Sequence, residues 1–177
     1  YMCEFLNQIN QYEIQIVALS VHRDSQLLLG SQGNLTQHFY PGNDSEQSDF
    51  ARKRLLAAAD IAKEYDIPMV IGLLGSRNFS QWYSWPAQDG WKRQQELVVQ
   101  KWTPILEYYE QKGIKFAHEI GLQQIAYNLE TAEEVEELFP SNCFGFCIDP
   151  ANLFMVGIDP SMVIEQLNNK VYHVHGK

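Results

Sequence analysis

Cys143-Phe144-Gly145-Phe146-Cys147-Ile148-Asp149 is the stretch from which the fold is read. Side chains alternate along a strand, so Phe144, Phe146 and Ile148 share one face. Cys143, Gly145, Cys147 and Asp149 share the other. Bulky residues on one side and small ones on the other suit a barrel strand, with the bulk turned to the helices and the small residues to a crowded axis. Asp149 then closes the strand and points inward.

The same alternation extends outward from this strand. In Lys115-Phe116-Ala117-His118-Glu119, Glu119 shares the inner face with Ala117 and Lys115, and His118 points to the packed outer side. In Val171-Tyr172-His173-Val174-His175 both histidines face inward, with His175 nearer the C-terminal end. In Ile16-Val17-Ala18-Leu19-Ser20-Val21-His22, His22 ends its strand in phase with Ser20 and Ala18. Several strands therefore end in Glu, Asp or His at one mouth, the face where barrel enzymes place their active sites. A buried carboxylate is costly unless partnered. Two carboxylates and an imidazole (Glu119, Asp149, His175) suit Mn²⁺, Mg²⁺, Co²⁺ or Zn²⁺.

The rest of the chain alternates strands with amphipathic helices. Strands are expected over 14–20, 69–74, 115–119, 144–149 and 171–175, and helices over about 50–65, 92–111, 132–138 and 161–168. Thr131 and Glu134 have the spacing of a capping box. Asp159-Pro160 reads as a helix start, and Gly113 as a helix stop. Parallel strands with right-handed crossovers follow. The expected fold is an α/β (β/α)8 barrel domain over residues 1–177. It is an incomplete piece lacking roughly the first strand and the last two, since a closed barrel needs about 250 residues. A five-stranded flavodoxin-like sheet is the competitor, but no Gly-rich phosphate turn follows the first strand. Isolated open edges would favour aggregation or unfolding. The long segments 30–49 and 75–91 read as loops at the mouth. The second carries Phe79, Gln81, Trp82, Tyr83, Trp85 and Trp91, which could pack on themselves or wall a polar small-molecule site.

Composition narrows the function. Apolar residues make up 45 % and charged residues 20 % of the 177, ordinary globular values. A net charge of −9 opposes nucleic-acid binding. No apolar run reaches the roughly 18 residues of a membrane span. The segment Tyr1-Met2-Cys3-Glu4-Phe5 reads as amphipathic rather than as a signal peptide. Three cysteines, of which Cys143 and Cys147 would stand about 13 Å apart on a strand, imply free thiols and a reducing, cytoplasmic setting.

Taken in order, these motifs resemble the sugar phosphate isomerase/epimerase group of xylose-isomerase-like barrels. The matching stretches are Ile16–His22, Phe116–Ile120 with Gln124–Asn128, Phe144–Leu153, Gly157–Pro160 and Val171–Lys177. The resemblance implies that Glu119, Asp149 and His175 bind a divalent metal, with a Glu from the last strand as a further ligand. It implies proton transfer next to a carbonyl of a sugar, keto-sugar or polyol, through an enediolate that the metal stabilises. Glu119 is the candidate acid/base. His22, Asn152, His173 and Lys177 are candidate substrate contacts, and Gln124 and Asn128 weaker ones. Asn152 is a departure, because the family places a His three residues after the strand-end Asp. Asn can bond a hydroxyl but cannot titrate near neutral pH. An inosose-type dehydratase would share the metal and lose water. A non-catalytic barrel module is the reading from another class. An abasic-site endonuclease would need more His ligands than five histidines allow. The expected partner is a small-molecule sugar or polyol, and the fold is compatible with a homo-oligomer.

Overall fold

Strands that alternate with helices return to one sheet through crossovers, and this chain does so repeatedly. The computed structural model describes residues 2–77 and 89–176, with the side chains of residues 2, 3, 7 and 10 set aside. Five parallel strands lie in chain order, β1 (Leu19–Ser20), β2 (Met69–Gly72), β3 (Lys115–Glu119), β4 (Phe144–Ile148) and β5 (Val171–Val174). Each strand pairs with its successor, as consecutive barrel units do, whereas a flavodoxin-like order would be permuted.

The longer helices are α1 (Met2–Gln11), α4 (Asp44–Glu64), α5 (Gly90–Lys112), α6 (Leu129–Leu138) and α8 (Pro160–Leu167). Shorter ones are α2 (His22–Ser25), α3 (Asn34–Gln37) and α7 (Pro150–Met155). Among the described residues no helix is long and apolar enough to cross a membrane.

The sheet separates two apolar layers. On the helix side, Phe116, Phe144 and Phe146 pack with Trp102 and Tyr109 of α5 and with Leu55 and Ala59 of α4. Two of these buried rings keep their polar ends satisfied. Trp102 Nε1 donates to Leu74 O at 2.9 Å, and the Tyr109 hydroxyl to Leu55 O at 2.8 Å. His118 belongs here as expected. It is fully buried, and its Nδ1 accepts the Leu74 amide at 3.1 Å. On the axis side a smaller layer of Ile71, Ala117 and Cys147 packs with Ala18, Met69 and Tyr172.

Several boundaries move. The first strand, expected over 14–20, is confined to Leu19–Ser20. Among the described residues it has one neighbour, and β2 begins at Met69, so Ile14 and Val17 find no described strand to pair with and are exposed. Helix α4 begins six residues before the expected start. The Asn43 side chain accepts the Ser45 and Glu46 amides, and Glu46 returns to the Asn43 amide at 2.8 Å. Helix α6 begins at Leu129, and its capping box is Asn128 with Thr131, not Thr131 with Glu134. Glu134 instead accepts Trp91 Nε1 and Gln95 Nε2 from α5. Gly113 ends α5 at φ 70°, and Asp159 caps α8 before Pro160, both as read from the sequence.

Cys143 does not join the axis layer. It precedes β4 and lies in the helix-side core, with Sγ near Ile114 O at 3.3 Å. Both Cys143 and Cys147 are free thiols. At β5 the register slips, with Phe146 opposite Val171 and Cys147 opposite His173. Tyr172 is the extra residue of a bulge, so it and His173 both reach the axis side. Gly145 makes room for it, since a Cβ there would come within 2.5 Å of the Tyr172 ring.

Candidate metal centre at the strand ends

Four chemical groups meet at one mouth because four strands end there. Glu119 is the last residue of β3. Asp149 follows β4 and caps α7, its Oδ1 accepting the Ala151 amide at 3.0 Å. His175 follows β5 and is held by its own amide on Ile148 O at 2.8 Å. His22, expected to end a strand, is instead the first residue of α2, after Val21 donates to Ile71 O at 2.9 Å.

Side-chain atoms converge closely. His22 Nε2 stands 2.6 Å from Glu119 Oε2. His175 Nδ1 is 3.5 Å from Glu119 Oε1 and 3.7 Å from Asp149 Oδ2. Asn152 Nδ2 donates to Glu119 Oε1 at 2.9 Å. Asp149 is fully buried, Glu119 keeps a partly exposed edge, and the two imidazoles are more open. A cleft of about 560 Å³ opens over these groups, lined by Ser20, His22, Glu119, His173 and His175 above Ile71.

Burial pushes the Glu119 carboxyl up, but the His22 contact and the fields of His22 and His175 outweigh it. The net effect holds Glu119 below its ordinary value, so it stays a carboxylate at neutral pH. Burial and the neighbouring His175 lower the His173 imidazole. The two rings meet edge-on with centroids 5.6 Å apart.

Donor atoms of His22, Glu119 and His175 all lie within 4.8 Å of one another. Metal–ligand bonds of about 2.0–2.6 Å cover that span. His22 Nε2 is buried and, despite the short approach of Glu119 Oε2, has no well-directed hydrogen bond. A buried ring nitrogen facing carboxylate oxygens in this way fits a mixed nitrogen–oxygen divalent site.

The sequence reading brought Glu119, Asp149 and His175 to one mouth, and they are found there. His22 was expected only as a substrate contact, yet it stands closer to Glu119 than His175 does. Its phase with Ser20 was the available signal. Asn152 lies at the site but is bonded to Glu119, a contact made from the helix beyond the strand and invisible to strand alternation. His173 lines the cleft. Lys177 and the loop residues Phe79, Gln81, Trp82, Tyr83 and Trp85 lie outside the described residues. Gln124 and Asn128 are occupied structurally, Gln124 Oε1 by the Gly75 amide at 3.0 Å and Asn128 as the α6 cap.

Comparisons with known proteins agree with this architecture. The chain is 29 % identical over 84 residues to the uncharacterized protein YfiH of Bacillus subtilis, covering 47 % of this chain and 26 % of that protein. Among solved structures it resembles the probable 3-DHS dehydratase AsbF of Bacillus anthracis, with TM-score 0.70, 16 % identity and coverage of 97 % of this chain and 54 % of that one. It also resembles L-ribulose 3-epimerase, with TM-score 0.66, 16 % identity and coverage of 96 % and 52 %. A third is the IOLI protein with a bound zinc atom, with TM-score 0.64, 15 % identity and coverage of 98 % and 58 %. The chain thus spans a little over half the length of these structures, and at such identities the likeness is one of fold. Residues 1–177 match the family of xylose isomerase-like TIM barrels from end to end, and the chain belongs to that family.

Proposed function

We propose that the whole protein is a divalent-metal-dependent isomerase or epimerase of a sugar, keto-sugar or related polyol. The observation that carries the proposal is the convergence of His22, Glu119 and His175 donors within 4.8 Å, with Asp149 Oδ2 3.7 Å from His175. Glu119, Asp149 and His175 would hold the ion, and His22 adds a nitrogen to the set. The bound metal supplies Lewis acidity toward the substrate's carbonyl and neighbouring hydroxyl.

The chain's own groups do the rest. Glu119, kept ionised by its neighbours, takes the proton from the carbon next to the carbonyl, and Glu119 or a second carboxylate returns a proton to the same or the neighbouring carbon, so the formula is unchanged. Asp149 is fixed by its cap and holds its other oxygen, Oδ2, toward His175. His173 and Lys177 are the proposed substrate contacts. The cleft's mixture of imidazoles and carboxylate suits a hydroxylated substrate better than an apolar one.

Likeness in fold to a probable dehydratase supports a second reading, loss of water from an inosose-like ketone at the same centre. One experiment separates them. The full-length protein, loaded with Mn²⁺, is incubated with a panel of ketoses and inososes in D₂O, and products are followed by NMR and mass spectrometry. Carbon-bound deuterium in a product of unchanged formula is expected. A product lighter by one water would replace this reading with the dehydratase. Neither change across the panel, with metal bound, would favour a non-catalytic barrel.

A further inference from the structure

We infer that Asn152 is a positioning residue that fixes Glu119, rather than a hydrogen-bond donor to the substrate. The inference rests on the proposed metal-dependent reading of the same site.

Asn152 sits in the first turn of α7, three residues beyond Asp149. The start of that helix is tied to the end of β4, because Asp149 Oδ1 accepts the Ala151 amide at 3.0 Å. From there the Asn152 side chain crosses to β3. Its Nδ2 donates to Glu119 Oε1 at 2.9 Å and lies 3.4 Å from Ile120 O. Both neighbours are acceptors, so the amide nitrogen, not the oxygen, must face them. A primary amide has two N–H donors, and here they meet Glu119 at the end of β3 and Ile120 just past it. Neither is left to donate to a substrate hydroxyl.

Gly121 belongs to this arrangement. A Cβ at that position would stand 3.1 Å from Asn152 Nδ2, inside ordinary contact distance. Residue 121 is therefore kept small where the amide crosses.

The consequence falls on Glu119. Asn152 holds Oε1 from one side, and Oε2 is left turned toward His22 Nε2 at 2.6 Å. A neutral amide pins the carboxylate in one orientation without offering it a proton. Asn152 and Ala151, adjacent in α7, thus each secure one oxygen of a site carboxylate, on Glu119 and Asp149 respectively. Helix α7 orders the two acids as a unit. Groups that orient a metal ligand in this way commonly change metal affinity about 10–100-fold when removed.

The test uses the full-length protein and Mn²⁺ alone, titrated by isothermal calorimetry, so no substrate need be known. Asn152→Leu keeps the side chain's shape and removes the amide, and Asn152→Ala removes both. Both are expected to weaken Mn²⁺ binding by about 10–100-fold, with metal-free melting temperatures near the wild type. Asn152→His restores a ring N–H donor and should recover most of the affinity. Wild-type affinity in the Leu and Ala variants would overturn the inference and leave the metal reading standing. A wild-type protein that binds no Mn²⁺ would overturn both. If the Ala variant does not fold, the shape-preserving Leu variant decides.

Discussion

The Ser20 hydroxyl lies 2.7 Å from His22 Nδ1, while Nε2 of the same ring faces Glu119 Oε2 at 2.6 Å. With the hydroxyl as acceptor, Nδ1 keeps its proton, and a metal ion would take the Nε2 side of the ring, which otherwise faces the Glu119 carboxylate. Ser20 is exposed and in the two-residue β1, so little of the fold depends on its side chain. Ser20→Ala is expected to weaken Mn²⁺ binding roughly tenfold and to leave the metal-free melting temperature almost unchanged. Calorimetric titration beside a thermal melt checks both. Unchanged Mn²⁺ affinity would remove His22 from the set of ligands whose orientation matters.

His118 gives a prediction about pH. Burial pushes its imidazole from the ordinary 6.5 down to about 3. The unfolded chain accepts a proton in that interval and the folded chain refuses it, so stability falls as pH drops below 6.5. Glu119, held below its ordinary 4.5, adds its own loss only at lower pH. The interval from 6.5 to 4.5 therefore belongs mainly to His118, with a smaller share from His173. Asn at position 118 offers an oxygen to the Leu74 amide without titrating. Urea midpoints of metal-free protein at pH 7 and pH 5 should differ clearly in the wild type and much less in His118→Asn. Equal slopes in the two proteins would place the effect elsewhere.

What the sequence made legible follows from periodicity. Alternation in Cys143–Asp149 and Lys115–Glu119 put Glu119 and Asp149 on the axis side at strand ends, and the backbone obeys it from Phe144 onward. The reading failed where tertiary contacts decide. Ile14–Ala18 has a strand's composition, but its neighbour β2 starts too late to pair with it. The bulge at Tyr172 depends on empty space above Gly145, which no local pattern in Val171–His175 announces. The bond from Asn152 to Glu119 joins residues 33 apart in sequence. Asn at position 152 was visible as a departure from a family pattern, but its partner was not.

Gly145 tests that account of the bulge. An added methyl would meet Lys170 O and the Tyr172 ring, each at 2.5 Å. The ring could turn aside, but the Lys170 carbonyl is backbone and β4 is fully buried. Overpacking of this kind costs about 1–3 kcal/mol, so Gly145→Ala should lower the melting temperature by several degrees. Gly176→Ala, with no atom within 4 Å of the new methyl, is the control and should not. Equal melting temperatures for Gly145→Ala and wild type would mean that β5 does not pack over β4 as described.

Asp149 has two duties that substitution can separate. Oδ1 caps α7 through the Ala151 amide, and Oδ2 faces His175 at 3.7 Å. Asn caps a helix about as well as Asp, whereas Ala loses about 0.5–2 kcal/mol at such a position. Asp149→Asn should therefore keep the metal-free stability and lose metal affinity, because the amide carries no charge. Asp149→Ala should lose both. Ligand linkage makes the difference measurable, since a metal bound only to the folded state at a hundred times its Kd adds about 2.7 kcal/mol. Melting curves of the full-length wild type in MnCl₂ should rise above those in EDTA. Both variants should lose that increment, and only Asp149→Ala should also melt lower in EDTA. If Asp149→Asn retained the full Mn²⁺ increment, Asp149 would be a cap alone, and the centre would reduce to His22, Glu119 and His175.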